Sequence, residues 1–131
     1  MFKRHKSDVS LSVTLTSVPA KADEVYVEGE ALVISGGFAT KANGDVNVTY
    51  ICHENKTAKD GDMLRVSRVG EHEEYLTTLS VAGTSLKVGG AVTISTDGLE
   101  VTATAPTTNK GAEIVKILDS AKGGKVIVRL K

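Results

Sequence analysis

The sequence predicts an all-β fold, a single small β-barrel or β-sandwich of about nine to ten short strands preceded by an N-terminal arm. Three observations lead there. The 131 residues include 17 Val and 14 Thr, side chains that branch at Cβ and suit a pleated surface. The apolar positions alternate with period two, and the alternating runs are punctuated by glycines. No segment carries a sustained helical period. The nearest approach, 112 to 122, is bounded by Gly111 and Gly123 and filled with Ile114, Val115 and Ile117, so it is assigned as strand. A chain of this length makes one domain and buries roughly two-thirds of its extended surface.

Residues 1–8, MFKRHKSD, are polar and without period and are expected to form a flexible arm, with the compact β-domain spanning 9–131. VSLSVTLTSV, 9–18, then alternates without error, placing Val9, Leu11, Val13 and Leu15 on one face and Ser10, Ser12, Thr14 and Thr16 on the other. Pro19 ends the run, because it lacks a ladder donor and restricts Val18 before it. EVYVE at 24–28 and ALVI at 31–34 are too closely spaced for helices and read as short strands around Gly29, with Gly36-Gly37 beyond them. After the Asn43-Gly44 turn, Val46, Val48, Tyr50 and Cys52 are in phase and expected to share one face.

The polar stretch 53–62 is a long connection ending at Asp60-Gly61, and MLRVSRV follows. An acidic turn, Glu71-His72-Glu73-Glu74, precedes YLTTLSV, in which Tyr75, Thr77, Leu79 and Val81 point one way. Asp97-Gly98 between alternating segments predicts a hairpin pairing 91–96 with 99–104. AEIVKIL and KVIVRL supply the last two strands, the second with Val126, Val128 and Leu130 on one face.

Sixteen basic and sixteen acidic residues cancel, which removes the general attraction expected of a nucleic-acid or membrane-surface binder. The basic end residues Lys122, Lys125, Arg129 and Lys131 are not interleaved with aromatics, so no stacking platform for single strands is legible. No apolar run reaches the length of a membrane span, and Asp8 interrupts the region where a signal sequence would need a continuous apolar core. A single cysteine fits synthesis in a reducing cytoplasm.

No nucleophile elbow, phosphate loop or HExxH motif is present, and an enzymatic role is not expected. Cys52 and His53 are adjacent, but neighbouring strand residues face opposite ways, so they are assigned to the core and the surface. Glu71 to Glu74 read as a solvated turn before they read as a metal site. Asn43, Asp45, Asn47 and Glu54 fit four positions of a calcium-binding loop, yet Val48 stands where that loop needs glycine. No cofactor or metal is expected.

The segment LKVGGAVTISTDGLEVTATAPTTNKGAEIVKILDSAKGGKVIVRLK resembles the capsid decoration, or cement, proteins of tailed bacteriophages. The resemblance is carried by Gly89-Gly90 before a strand, the Asp97-Gly98 turn, the Thr/Ala-rich Val101 to Ala105, the Gly-bounded strand from Gly111 to Leu118, and the closing Val126 to Leu130. AEIVKIL departs from the usual pattern in being poorer in glycine and alanine, and VNVTYICHENKTAKDGD has no counterpart in it. The resemblance implies a structural virion protein, made in the host cytoplasm. It would bind the outer surface of a phage head, commonly as a homotrimer, and stabilise the shell by bridging subunits of the major capsid protein. It implies no direct contact with nucleic acid or membrane. Phe2, Lys3, Arg4 and Lys6 of the arm, with Val9, Leu11, Val13 and Leu15 of the first strand, are the expected capsid or inter-subunit contacts. The alternative is a fibre- or tail-associated β-domain that binds carbohydrate or another virion protein. An exposed aromatic platform would mark a sugar-binding form, and only Tyr26, Tyr50 and Tyr75 are available to build one.

Overall fold

The structure is a computed structural model and describes residues 1–6, 15–70, 73–108 and 110–130. Among these the chain is all-β, with no helix and with three antiparallel sheets. The twelve strands are β1 (Lys3–Lys6), β2 (Leu15–Pro19), β3 (Val25–Tyr26), β4 (Ala31–Ser35), β5 (Phe38–Lys41), β6 (Tyr50–Cys52), β7 (Lys56–Thr57), β8 (Met63–Arg68), β9 (Glu74–Thr78), β10 (Ala91–Val92), β11 (Ala112–Ile117) and β12 (Lys125–Leu130). One five-stranded sheet has the order β1-β9-β12-β11-β10, and the other has the order β2-β8-β6-β4-β5. The third sheet is the small pair β3-β7.

The two large sheets face each other over the main core. Tyr75, Val92, Ile114, Val126, Val128 and Leu130 come from the first, Ala31 and Ile51 from the second, and Leu79 from just beyond β9. On its other side the second sheet holds a smaller core with Val18, Leu32, Ala39, Cys52, Leu64 and Val66, closed by Tyr26 and Ala58 from around the small sheet. Alternation explains the division. In β8, Val66 enters the smaller core while Ser67 turns to the opposite face, and the register pairs Cys52 with Val66 and Ile51 with Ser67. Tyr26 is fixed by its hydroxyl, which donates to the Ala39 carbonyl at 2.7 Å and accepts from the Lys21 amide at 2.9 Å, so a buried polar tip is fully used.

Turn chemistry sets the registers. Gly36 and Gly37 both have positive φ (59° and 85°), the two-residue arrangement that matches strand twist, and they join β4 to β5 with Ser35 opposite Phe38. Gly111 has φ 95° and lies so close to the Val92 carbonyl that a Cβ there would collide with it. That close approach lets β11 begin in register with β10, Ala112 opposite Val92. Pro19 sits at the end of β2, an edge strand, where its missing donor is tolerated.

Several expectations are met. Residues 112–117 are strand, and Tyr75, Thr77 and Leu79 are buried in phase, although Val81 is exposed. The Asp97-Gly98 turn is present, but its arms are joined by the single Ile94–Val101 bridge and flanking hydrogen bonds such as Ser95 N–H to Glu100 O (2.9 Å), because 91–92 pair with β11 instead. Two expectations are corrected. Val46 and Val48 pack in the main core while Tyr50 and Cys52 pack in the smaller one, since β6 starts only at Tyr50 and the alternation does not run back through the turn. The second concerns the first residues. Phe2 is 2% exposed in the main core, and β1 pairs with β9 through Lys3–Leu76, Arg4–Tyr75 and Lys6–Glu74. Over these positions the expected flexible arm is instead a paired strand anchored by an aromatic side chain.

Candidate functional site

The amino-terminal strand borders a cleft of about 320 Å³ between β1 and the β6–β8 part of the second sheet. Phe2, Ile51 and Tyr75 form its apolar wall, and Arg4, Glu28, His53 and Ser67 its polar one. The backbone assembles it. The Phe2 amide donates to the Gly29 carbonyl at 2.8 Å, and the Gly29 amide donates to the Cys52 carbonyl at 2.9 Å, so the first residues ride on a turn that itself rests on β6.

The Arg4 charge beside the cleft is used internally. Arg4 Nη1 lies 2.6 Å from Glu73 Oε1, with both side chains mostly buried. Glu73 Oε2 also accepts from the Tyr75 hydroxyl at 2.7 Å and from the Gly70 amide at 3.2 Å. Burial, reinforced by the Glu73 carboxylate, raises the Tyr75 phenol well above its ordinary range, so it serves as a fixed donor. His53 Nε2 and Ser67 Oγ are 2.7 Å apart. Desolvation lowers the His53 pKa, with Arg4 adding to the effect against Glu28, and keeps the ring neutral near pH 7. Such a pair has the first contact of a serine nucleophile and its base. No third side chain among the described residues hydrogen-bonds the other ring nitrogen, the contact that would orient it as a base. Cys52 points away from this pair into the smaller core, its thiol donates to the Glu54 carbonyl (3.1 Å), and burial pushes its pKa up to about 11.

The sequence-predicted contact residues are therefore dispersed. Phe2 is core, Arg4 is committed to Glu73, and Lys3 is exposed. Lys6 contributes its backbone to β1, while Leu15, on β2, is 45% exposed. Val9, Leu11 and Val13 lie outside the described residues. Of the acidic turn, Glu73 and Glu74 bind Arg4 and Arg129, and Glu71 and His72 lie outside the described residues. The four candidate calcium ligands are not brought together as a set. Asp45 Oδ2 accepts from the Thr107 and Thr108 amides and the Thr107 hydroxyl, and Glu54 Oε2 accepts from the Arg65 amide (2.8 Å). No group of three or more metal-ligating side chains occurs among the described residues.

Two features were not legible in the sequence. One is a set of large apolar side chains left at loop tips and strand ends. Ile34 and Phe38 flank the Gly36-Gly37 tip, and Val88 is 67% exposed beside Gly89. The other is Glu30, fully buried with one carboxylate oxygen that has no partner among the described residues. No protein-family model and no curated protein matches the chain. Among the described residues, no helix is long and apolar enough to cross a membrane.

Proposed function

We propose that this chain is a capsid decoration protein, a rigid sandwich-like β-body that binds the outer surface of a tailed-phage head as a homotrimer and stabilises it by bridging major capsid protein subunits. The observation that carries this reading is the display of large apolar side chains on short, tightly turned connections of a well-packed body. Ile34 and Phe38 flank a two-glycine turn at which a Cβ on either glycine would meet nothing within 4 Å among the described residues, and Val88 caps another turn. Exposed apolar groups at rigid tips favour specific protein contact over diffuse charge attraction, in keeping with a net charge of zero.

The strands of the segment that carries the resemblance lie side by side in one sheet, which supports the same reading. Its strands β10, β11 and β12 are sheet neighbours, and the arms of its Asp97-Gly98 turn bridge to each other through Ile94 and Val101. A carbohydrate-binding role is less well supported. Tyr26 and Tyr75 are each 1% exposed and Tyr50 is half-buried, which leaves no tyrosine platform for a sugar ring. Electron microscopy of purified heads with and without the protein, followed by a heat or osmotic-shock challenge, tests the proposal. Regular external density and greater endurance of the decorated heads are expected. Heads that carry no such density, or that fail identically, overturn it.

A further inference from the structure

Glu30 stands at a junction of three segments. Its own turn, 27–31, is closed by the Glu30 amide donating to Val27 O (3.2 Å) and by Glu30 Oε2 accepting from the Val27 amide (3.2 Å). The turn is stitched to Cys52 of β6 at Gly29 and at Glu30, by the Gly29 amide to Cys52 O and by the Cys52 amide to Glu30 O, each 2.9 Å. The amino terminus docks on it through Phe2 N–H to Gly29 O, with Met1 lying directly against Gly29. The 95–99 turn docks through Ala31 N–H to Gly98 O at 2.7 Å, and Gly98 packs so closely on the Glu30 side chain that a Cβ there would come within 3.2 Å of Glu30 Cγ.

At the centre of these contacts is a carboxyl group with no solvent exposure and an Oε1 that has no partner among the described residues. The charged groups around it do not neutralise it. Lys41 of β5 favours the ionised form, while Glu24 from the segment before β3 and Asp97 from the 95–99 turn oppose it. The Met1 amine, partly buried on the same side, lies within the influence of Asp97 and Glu100. Desolvation prevails, and the Glu30 pKa rises to about 7.

We infer that Glu30 is a proton-controlled latch: neutral, it holds the 27–31 turn closed on β6 with the amino-terminal residues docked; ionised, it opens that turn and releases Met1 and Phe2. Water reaching the carboxylate is the driving force, because an ion in this position has one oxygen without a donor. The inference concerns the free chain and stands whether or not the protein binds a capsid.

Native-state hydrogen exchange of the full chain at about pH 5.5 and about pH 8.5, with intrinsic rates divided out, tests it. At the higher pH the amides of Phe2, Gly29 and Ala31 should exchange through a local opening that leaves β12 protected. Between these two pH values the opening equilibrium should rise by up to about 30-fold, because a carboxyl of ordinary pKa in the opened turn is already ionised at pH 5.5 while the raised one in the closed turn ionises only near 7. In Glu30→Gln the rise should vanish. Exchange of these three amides only together with β12 at the higher pH would contradict the latch, as would a local opening indifferent to pH or one that persists in Glu30→Gln. Should that variant not fold, the carbon-13 signal of the Glu30 carboxyl in the unmodified protein decides: a midpoint near 7 supports the latch, and one near 4.5 overturns it.

Discussion

Replacing Phe2 by alanine separates a docked amino-terminal strand from a loose tail. Phe2 is 2% exposed and belongs to the same core as Tyr75, Ile51 and Val128, and its amide is bonded to Gly29. Removing a buried phenyl ring costs about 3–5 kcal/mol, the transfer free energy plus that of the cavity left behind. For a domain of this length each kcal/mol lowers Tm by about 4 °C, so Phe2→Ala should melt about 12–20 °C below the unmodified protein. Deleting residues 1–6 should be at least as damaging. It also removes Arg4 and leaves the mostly buried Glu73 without its cation, and breaking such a pair costs about 3–5 kcal/mol when one partner goes. Lys3→Ala, at an exposed position of the same strand, should stay within about 0.5 kcal/mol. The assay is calorimetry of the three variants alongside the full chain. A Phe2→Ala protein that melts within about 2 °C of the parent would contradict a docked amino-terminal strand, because it would mean that the first residues are a tail that contributes nothing to the core.

Further outcomes follow from single residues. Glu30 ionises at about 4.5 when unfolded and at about 7 when folded, so its contribution to stability is intact below pH 4.5 and is lost as pH rises through 7. Urea titrations of Glu30→Gln and the parent should therefore diverge with pH, the variant gaining up to about 3 kcal/mol by pH 8, and parallel curves would contradict this. The Cys52 thiol, fully buried and with its pKa pushed up to about 11, should resist a disulfide reagent at pH 8 until the protein unfolds; rapid labelling of the native protein would count against its placement. Tyr75→Phe should cost about 1–3 kcal/mol, because Glu73 Oε2 loses a donor at a buried site, as measured by the denaturant midpoint. Gly111→Ala combines a φ of 95° with a collision at the Val92 carbonyl and should lower Tm by several degrees, whereas Gly36→Ala, at an open tip, should suffer only the conformational penalty.

The strands were legible where alternation and turn chemistry agree. Val126, Val128 and Leu130 face inward in β12, and Asp97-Gly98 makes its turn, because a period of two and a left-handed glycine act locally. Local signals miscarried where burial depends on a distant partner. MFKRHK has the composition of a solvated tail, yet Phe2 joins a core whose other members lie about 30 to 130 positions away, and Arg4 finds Glu73. Val46 to Cys52 keep perfect phase in the sequence, but only Tyr50–Cys52 are extended, so the phase places Val48 and Cys52 in different cores. Glu30 gave no signal at all, since a glutamate beside a glycine reads as surface, and its burial follows from three segments closing over it. The candidate contact residues were the least legible. The exposed Ile34, Phe38 and Val88 sit in runs whose apolar character reads as core, and only the positions of the turns reveal that they project outward.

Capsid decoration is tested most directly by imaging heads lacking this protein after adding it back. Saturable external density is expected at fixed positions between capsid subunits, weakened by Phe38→Ser and Val88→Ser at unchanged melting temperature, with heads that survive a heat challenge that bursts undecorated ones. Density at the tail or fibres, or heads that stay bare at saturating protein, would contradict it.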